Sequence, residues 1–144
     1  MAAAEMTVDA RRAFLTEGTR TAVLATTRSD GRPHAVPVCF VLDEDDILFV
    51  TNAETVKGRD LLRDPRVTLV VDDETPPFAF VMIEGTALAS SEVQDIEQVA
   101  RRISQRYDDG EGMEDFVRFA REGLGTLVRV EPTRIIALDR VSEH

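Results

Sequence analysis

The chain alternates short apolar runs, rich in Val, Ile, Leu and Phe, with turns rich in Gly, Pro and Asp. This pattern is typical of a protein built mainly from β-strands. Longer segments, in which apolar residues are spaced by three and four, predict helices instead. We predict six strands, at 20–27, 34–42, 47–51, 66–73, 78–90 and 126–139. We predict four helices, at 8–17, 55–64, 91–107 and 113–121.

Single Gly and Pro residues mark turns and irregular positions in these strands. Asp30-Gly31 predicts a two-residue type I′ hairpin turn, because Gly accepts the positive φ that this turn requires. Pro37 has no N–H to donate, so we predict that its strand is an edge or leaves its backbone open to another group. Gly85 predicts a bulge or a close approach in the fifth strand, and Pro132 predicts an interruption of the last strand.

The order of the elements predicts the fold class. The strands come first and are joined mostly by hairpins, while two of the helices follow late in the chain. This order favours a mainly β, α+β protein, either an antiparallel barrel or a sandwich, with helices packed at its edge. The 144 residues suffice for one domain, 1–144.

Composition and charge narrow the possible partners. The formal net charge of −10 argues against nonspecific nucleic-acid binding and against an anionic membrane surface. A single cysteine, Cys39, permits no disulfide within the chain, which suits a reducing compartment. No apolar run is long enough to span a bilayer, and the first residues lack the pattern of a signal peptide. We therefore expect a cytoplasmic protein.

The start of the second predicted helix has an unusual set of residues. Thr55 is placed to act as its N-cap, and Lys57, Gly58 and Arg59 follow in the first turn. Cations are disfavoured at a helix N-terminus, and a helical Gly costs about 0.5–1 kcal/mol relative to Ala. A bound anion such as phosphate explains both features, because free N–H groups and nearby cations form an anion site. The alternative is that Lys57 is simply solvated.

Two segments resemble the signature of a known family. They are "VLATTRSDGRPHAVPVCFVL" and, after it, "FVTNAETVKGRDLLRDPRVTLVV". Together they resemble the pyridoxamine 5′-phosphate oxidase-like split barrels, and most of all the branch that binds the deazaflavin F420. The resemblance covers roughly residues 19–89 and the final strand. It implies a six-stranded antiparallel split β-barrel that forms a homodimer, with two flavin-type cofactors at the interface.

The resemblance also implies which residues bind the cofactor. Thr51 and Lys57 match residues that hold the phosphate, and Gly58 and Arg59 complete the same turn. Residues 36–38 match the strand along which the ring system lies, contacted largely through the backbone. The implied cofactor-binding set is His34, Val36, Pro37, Val38, Thr51, Asn52, Lys57, Gly58 and Arg59.

Departures from the family pattern argue against pyridoxamine phosphate oxidation. Val56 stands where the FMN-dependent oxidases carry Arg, Ala79 where they carry Gln, and Phe40 where they carry a basic residue. The C-terminal segment "TRIIALDRVSEH" lacks their substrate-binding pattern of Arg and His. These departures weaken FMN binding as an expectation without excluding it.

The function implied by the resemblance is cofactor-dependent oxidoreduction. F420 carries a longer acidic tail than FMN, which Lys57, Arg59 and Arg63 could meet, so we expect F420, with FMN as the alternative. The chemistry is a hydride transfer between the cofactor and a small organic substrate. Two other functions stay open: a carrier of F420, flavin or haem without turnover, and a structural dimer without cofactor.

Other chemically capable residues carry weaker expectations. Cys39 is predicted to be a buried, inert strand residue. His34 matches a polar position near the ring in some relatives, although a solvated histidine at a strand end is the ordinary interpretation. His34 and His144 do not have the spacing of a metal site. The acidic run 72–74 is read as a polar turn.

Overall fold

A computed structural model describes residues 4–108, 113–123 and 125–141. Within these ranges the strands are β1 (Ala4–Glu5), β2 (Ala22–Thr27), β3 (Pro33–Val38), β4 (Val41–Asp43), β5 (Asp46–Thr51), β6 (Arg66–Asp73), β7 (Ala79–Ser90) and β8 (Thr126–Asp139). The helices are α1 (Val8–Thr16), α2 (Val56–Arg63), α3 (Val93–Tyr107) and α4 (Met113–Arg121). The predicted helices are confirmed to within two residues at each end.

The strands form one antiparallel sheet in the order β3-β2-β6-β7-β8-β5-β4, with β1 paired to the end of β8. The two ends of this order, β3 and β4, are joined in the chain only by Cys39 and Phe40. Because so short a connection spans at most about 10 Å, the sheet must curve until its ends come close together. No pairing between β3 and β4 closes the seam within the described residues. The fold is therefore a split, open barrel of eight strands instead of the six predicted.

The predicted strand 34–42 is divided into β3 and β4 because the chain turns at Phe40. The Phe40 side chain is fully buried, and its backbone bonds to side chains of α3 instead of a neighbouring strand. Its N–H donates to the Tyr107 hydroxyl at 3.3 Å, and its carbonyl accepts from Arg106 at 2.9 Å. Cys39, beside it, is exposed, so the prediction of a buried cysteine was wrong.

The hairpin between β2 and β3 is confirmed, but its turn differs from the two-residue type predicted. The amide of Gly31 donates to the carbonyl of Arg28 at 2.9 Å, and Arg28 N–H donates to Arg32 O at 2.8 Å. Gly31 has a φ of +87°, whereas Asp30 does not share the positive φ that a type I′ turn needs. The loop is a three-residue connection whose last residue, Gly31, has a left-handed backbone conformation. In addition, Asp30 Oδ1 accepts from Arg32 N–H at 3.0 Å.

The long pair β7–β8 contains the irregularity predicted at Gly85. Its register shifts between Glu84 and Gly85, which leaves Thr133 as an extra residue of β8. A Cβ on Gly85 would lie 2.5 Å from a backbone oxygen of β8, so only glycine fits this close approach. The strand β8 continues through Pro132, and the predicted interruption there is a bulge in an unbroken strand.

Two apolar clusters hold the fold together. The barrel interior is filled by strand residues and closed by Phe14 and Leu15 of α1 and Leu61 of α2. The second cluster lies where α3 and α4 pack outside the sheet, and consists of Val41, Leu48, Ile96, Val99, Ala100, Ile103, Ala120 and Leu127. No helix among the described residues has the length and apolar character needed to cross a membrane.

Candidate functional site

The turn that joins β5 to α2 is held by its own side chains. The Asn52 side-chain oxygen accepts from Glu54 N–H at 2.9 Å. The Asn52 carbonyl accepts both from the Thr55 hydroxyl at 2.7 Å and from the Thr55 N–H at 3.1 Å. These bonds fix the direction in which the chain enters α2. Asn52 therefore shapes the turn itself.

Thr55 is the N-cap of α2, as the sequence predicts. Its hydroxyl accepts from Gly58 N–H at 3.2 Å, and its carbonyl accepts from Arg59 N–H at 2.9 Å. The remaining first-turn amides, those of Val56 and Lys57, make no hydrogen bond within the described part of the chain. Two free N–H groups at the positive end of the helix dipole are suited to an anion.

The role expected for Gly58 needs correction. The sequence suggested a bound anion as the reason for a glycine here, but Gly58 is buried against its own chain. A Cβ at this position would lie 2.3 Å from the Asn52 carbonyl oxygen and 2.8 Å from Ala53 Cα. Because both obstructing atoms belong to the backbone, the tight turn itself requires glycine here. The glycine permits the geometry of the helix start.

The cations near this helix start differ in how they are used. Lys57 is half-buried and Arg59 is exposed, and neither forms an ion pair with any described residue. Arg63 is engaged instead: it lies 3.4 Å from Asp60 and also donates to the Thr27 carbonyl. The expectation that Arg63 serves an acidic tail therefore loses support. Lys57 and Arg59 remain available for an anion.

Lys57 has a further distinction that the sequence analysis missed. The chain has 17 Lys and Arg residues in total, and Lys57 is the only lysine among them. A chain that uses Arg at every other basic position keeps a compact ammonium group only at this helix start. The two groups differ, since lysine acts as a point charge and arginine as a planar fork. That Lys57 is the only lysine could have been recognised from the composition alone.

Thr51, at the end of β5, has a buried hydroxyl without a partner. The residue is 5% exposed, and its Oγ1 makes no hydrogen bond to a described residue. It lines a small void of about 10 Å³ beneath α2 together with Gly58, Leu61 and Thr126. Buried polar groups are nearly always satisfied in folded proteins, so this unpaired hydroxyl marks a position that another group would complete.

The strand expected to face the ring has two different surfaces. His34, Val36 and Val38 face the barrel, while Pro37 is exposed on the outside. The strand pairs with β2 on one side only, so the edge prediction made from Pro37 is confirmed. Backbone groups on its free edge are open to a ligand. Contact through the backbone, as the resemblance implies, suits this arrangement because the valine side chains are turned inward.

A buried polar contact that the sequence did not reveal links α2 to β2. Thr26 and Asp60 are each 3% exposed, and the Thr26 hydroxyl donates to Asp60 Oδ2 at 2.9 Å. The available signal was a threonine on the apolar face of β2, in alternation with Ala22 and Leu24. This contact brings α2 next to β2, and β2 pairs with β3. The two groups of expected site residues thus lie on elements separated by one strand.

The other candidates add no second site. Although Cys39 is exposed at the surface, partial desolvation raises the pKa of its thiol, and the charge of Arg106 opposes this only in part. A raised pKa disfavours a reactive thiolate. His144 lies outside the described residues, and no group of metal-ligating side chains occurs among the residues that are described. Residues 72 and 73 are the last two of β6, as the predicted strand 66–73 has them, and the turn follows at 75–77.

The sequence profile of the family described as pyridoxamine 5′-phosphate oxidase matches residues 7–137. Among curated proteins, none matches this sequence. One similar crystal structure is the conserved hypothetical protein Rv2991 of Mycobacterium tuberculosis, with 26% identity, a TM-score of 0.80, and coverage of 96% of this chain and 88% of that one.

Two further solved structures share the fold at lower identity. An F420 reductase has 22% identity and a TM-score of 0.71, with 85% of this chain and 94% of that chain covered. The heme storage protein HutZ of Vibrio cholerae has 20% identity and a TM-score of 0.73, with 96% of this chain and 100% of that chain covered.

Proposed function

Because this chain belongs to the pyridoxamine 5′-phosphate oxidase family, we propose that it binds a flavin-type cofactor, coenzyme F420, and acts as an oxidoreductase on a small organic substrate. The observation that carries the proposal is the start of α2. There the only lysine of the chain has no ion pair, and the first-turn amides of Val56 and Lys57 have no hydrogen bond, among the described residues. Thr51, which lines the void beneath the helix, also has a buried hydroxyl without a described partner. A cationic side chain and free amides at a helix start fit the phosphate group of such a cofactor.

Each group has a distinct role in holding such a cofactor. Lys57 and Arg59 supply positive charge, and the amides of Val56 and Lys57 supply hydrogen bonds along the helix dipole. The free edge of β3 at 36–38 offers backbone contacts for a flat ring. The cofactor, when bound, supplies hydride chemistry, while the protein supplies position and exclusion of water. The proposal needs no side-chain base at the hydride step.

We favour F420 over FMN for two reasons. Val56 replaces the arginine that the FMN-dependent oxidases of the resembling family carry, and this fits a site adapted to another cofactor. An F420 reductase also shares the fold across 94% of its own length. FMN is the alternative. Non-catalytic binding is a second candidate function, supported by the fold shared with a heme storage protein.

We also propose that a second copy of the chain covers the outer face of the sheet. Pro37, Val23, Val70, Met82 and Ile136 are successive cross-strand partners on five neighbouring strands. Val23 is 42% exposed although it is a large apolar residue. A continuous apolar row on a surface is typical of an interface.

The single cysteine is consistent with a reducing, cytoplasmic location.

Titration of the purified protein with F420, FMN and heme, followed by calorimetry, tests the cofactor assignment. We expect F420 to bind most tightly and its reduced form to be reoxidised when substrate is present. Binding without turnover across a panel of planar acceptors supports the carrier. If saturating F420 and FMN both fail to bind, the proposed function is wrong.

Sedimentation tests the dimer proposal. We expect the wild-type protein to be a dimer and Val23→Arg to be a monomer, and a monomeric wild type contradicts the proposal.

A further inference from the structure

Polar side chains of β2 and α2 meet where the helix packs against the strand. Thr26 of β2 donates to Asp60 Oδ2 at 2.9 Å, and both residues are 3% exposed. The other carboxylate oxygen, Oδ1, lies 3.4 Å from an Arg63 nitrogen. Since Thr26 gives its only proton to Asp60, its oxygen can act only as an acceptor toward any further partner.

His34 of β3 lies directly opposite Thr26 in the β2–β3 pair and on the same, inward face. Cβ atoms of opposed residues in an antiparallel pair are about 4.5–5.5 Å apart, so the two side chains are within reach of each other. The His34 Nδ1 atom is buried and has no hydrogen-bond partner. The other ring nitrogen, Nε2, is not among the buried, unpaired atoms and makes no hydrogen bond to the described residues. The Nδ1 edge of the imidazole is therefore buried, and the Nε2 edge is accessible.

We propose that His34 Nδ1–H donates to the Thr26 hydroxyl, which donates to Asp60, so that Nε2 is held as a hydrogen-bond acceptor for an N–H or O–H group of a bound ligand. A small side-chain rotation across the pair supplies the buried nitrogen with the partner it otherwise lacks. In a histidine, the bond made by one ring nitrogen decides the state of the other.

This assignment gives the three residues separate roles. His34 contacts the ligand, whereas Thr26 and Asp60 are positioning residues that act through it. Arg63 balances the charge of the buried carboxylate through the oxygen that Thr26 does not use. The identity of the ligand as the flavin-type cofactor or its substrate rests on the proposed function. The tautomer of His34 does not, because it is a property of the protein alone.

The tautomer can be measured by ¹⁵N NMR of histidine-labelled protein without ligand, at a pH where imidazole is neutral. The chain has two histidines, so His144→Gln isolates the His34 signals. We expect the Nδ1–H tautomer in wild type. Thr26→Val should shift the tautomer ratio about fivefold toward Nε2–H, the equilibrium weight of one hydrogen bond. Thr26→Ser keeps the hydroxyl and should keep the wild-type tautomer.

Thr27→Val is the matched control, because Thr27 lies on the same strand but alternates onto its other face. It should leave the His34 tautomer unchanged. An Nε2–H tautomer in wild type overturns the proposal, even if Thr26→Val does not fold. An unchanged tautomer in a folded Thr26→Val variant also overturns it.

Cofactor titration separates this inference from the proposed function. If His34 has the Nδ1–H tautomer but neither F420 nor FMN binds, the function fails and the hydrogen-bonded chain stands. If F420 binds while His34 has the Nε2–H tautomer, this inference fails and the function stands. Where both hold, His34→Gln should weaken F420 binding about fivefold, and unchanged affinity removes His34 from the ligand contact.

Discussion

The two ends of β2 differ in how their polar groups are used, although the first also has a buried nitrogen, Arg20 Nε, without a partner in the described part of the chain. Near its start, Arg106 of α3 donates to the carbonyls of Leu15, Gly18 and Phe40 at 2.7–3.0 Å. The Tyr107 hydroxyl donates to the Arg20 carbonyl at 2.6 Å. Burial lowers the pKa of Arg106 and raises that of Tyr107. At this end α1, α3 and the β3–β4 connection meet. The side chains of Arg106 and Tyr107 donate hydrogen bonds to carbonyls there that have no partner in a strand or helix.

The end near α2 keeps polar groups without partners. The hydroxyl of Thr51 and the Nδ1 of His34 are buried and unpaired, and Lys57 has no ion pair among the described residues. Unpaired groups reduce stability, so a fold retains them where a ligand completes the set. The comparison separates a structural end from the end where we propose that a ligand binds. It predicts that substitutions at the first end change unfolding and that those at the second change affinity.

Gly58→Ala should be the strongest exception to this rule, because it should change unfolding although it lies near the proposed ligand. Gly58 lies at the proposed ligand-binding end, yet its Cβ would lie 2.3 Å from a backbone oxygen. Overpacking commonly costs 1–3 kcal/mol, and backbone atoms cannot rotate away, so we expect a loss of about 3 kcal/mol in the free energy of unfolding. Gly18→Ala is the control: it has a positive φ of +55° but open space around it. It should cost about 1 kcal/mol in urea unfolding.

Arg106→Gln should destabilise the protein by about 2.5 kcal/mol while leaving F420 affinity unchanged. The substitution removes charged hydrogen bonds to three carbonyls together with the contact of the guanidinium with the Phe40 ring at 4.6 Å. Urea unfolding and calorimetry check the two halves of this prediction. Arg102→Gln, which removes one exposed bond to the Leu42 carbonyl, should cost less than about 1 kcal/mol. A large loss of F420 affinity in Arg106→Gln would contradict the comparison.

Lys57→Ala should have the reverse effect. We expect F420 affinity to fall about thirtyfold, or about 2 kcal/mol, with little change in unfolding, because a charge-assisted bond to the ligand is lost and no protein bond is. Arg101→Ala, a cation on α3 paired with Glu97, is the matched control and should bind normally. As the only lysine, Lys57 can also be followed by an amine-directed reagent, whose reaction there bound F420 should prevent. Unchanged affinity would remove Lys57 from the site.

Asp64 belongs to neither end and should give the smallest effect. Hydrogen bonds from the Arg66 side chain lower the Asp64 pKa to about 2, below the value of about 3.9 in an unfolded chain. A lowered folded-state pKa means that the stabilisation is present above about pH 4 and is lost as the pH falls toward 2. Asp64→Asn should flatten this part of the profile of thermal midpoint against pH. Arg66→Gln should flatten it only in part, because the backbone N–H of residue 66 still donates to Asp64 Oδ1, at 3.2 Å in the wild type. A profile unchanged in both variants would show that this exposed ion pair does not contribute to stability.

Local chemistry determined much of this protein from the sequence. The strands and helices follow from the spacing of apolar residues, and the N-cap at Thr55 and the close approach at Gly85 depend on single residues. The helix start could be proposed as an anion site because cations are ordinarily disfavoured at the positive end of the helix dipole. All of these features arise within one turn or one strand pair. A reader of the sequence can therefore evaluate them without knowing the fold.

Only the tertiary structure decided the rest, because it depends on residues distant in the chain. The division of the strand at Phe40 follows from Arg106 and Tyr107, 66 and 67 residues away. The buried link between Thr26 and Asp60 spans 34 residues. A hydrogen bond or steric contact between distant segments has no periodic signature, since its partners are set by how the sheet curves.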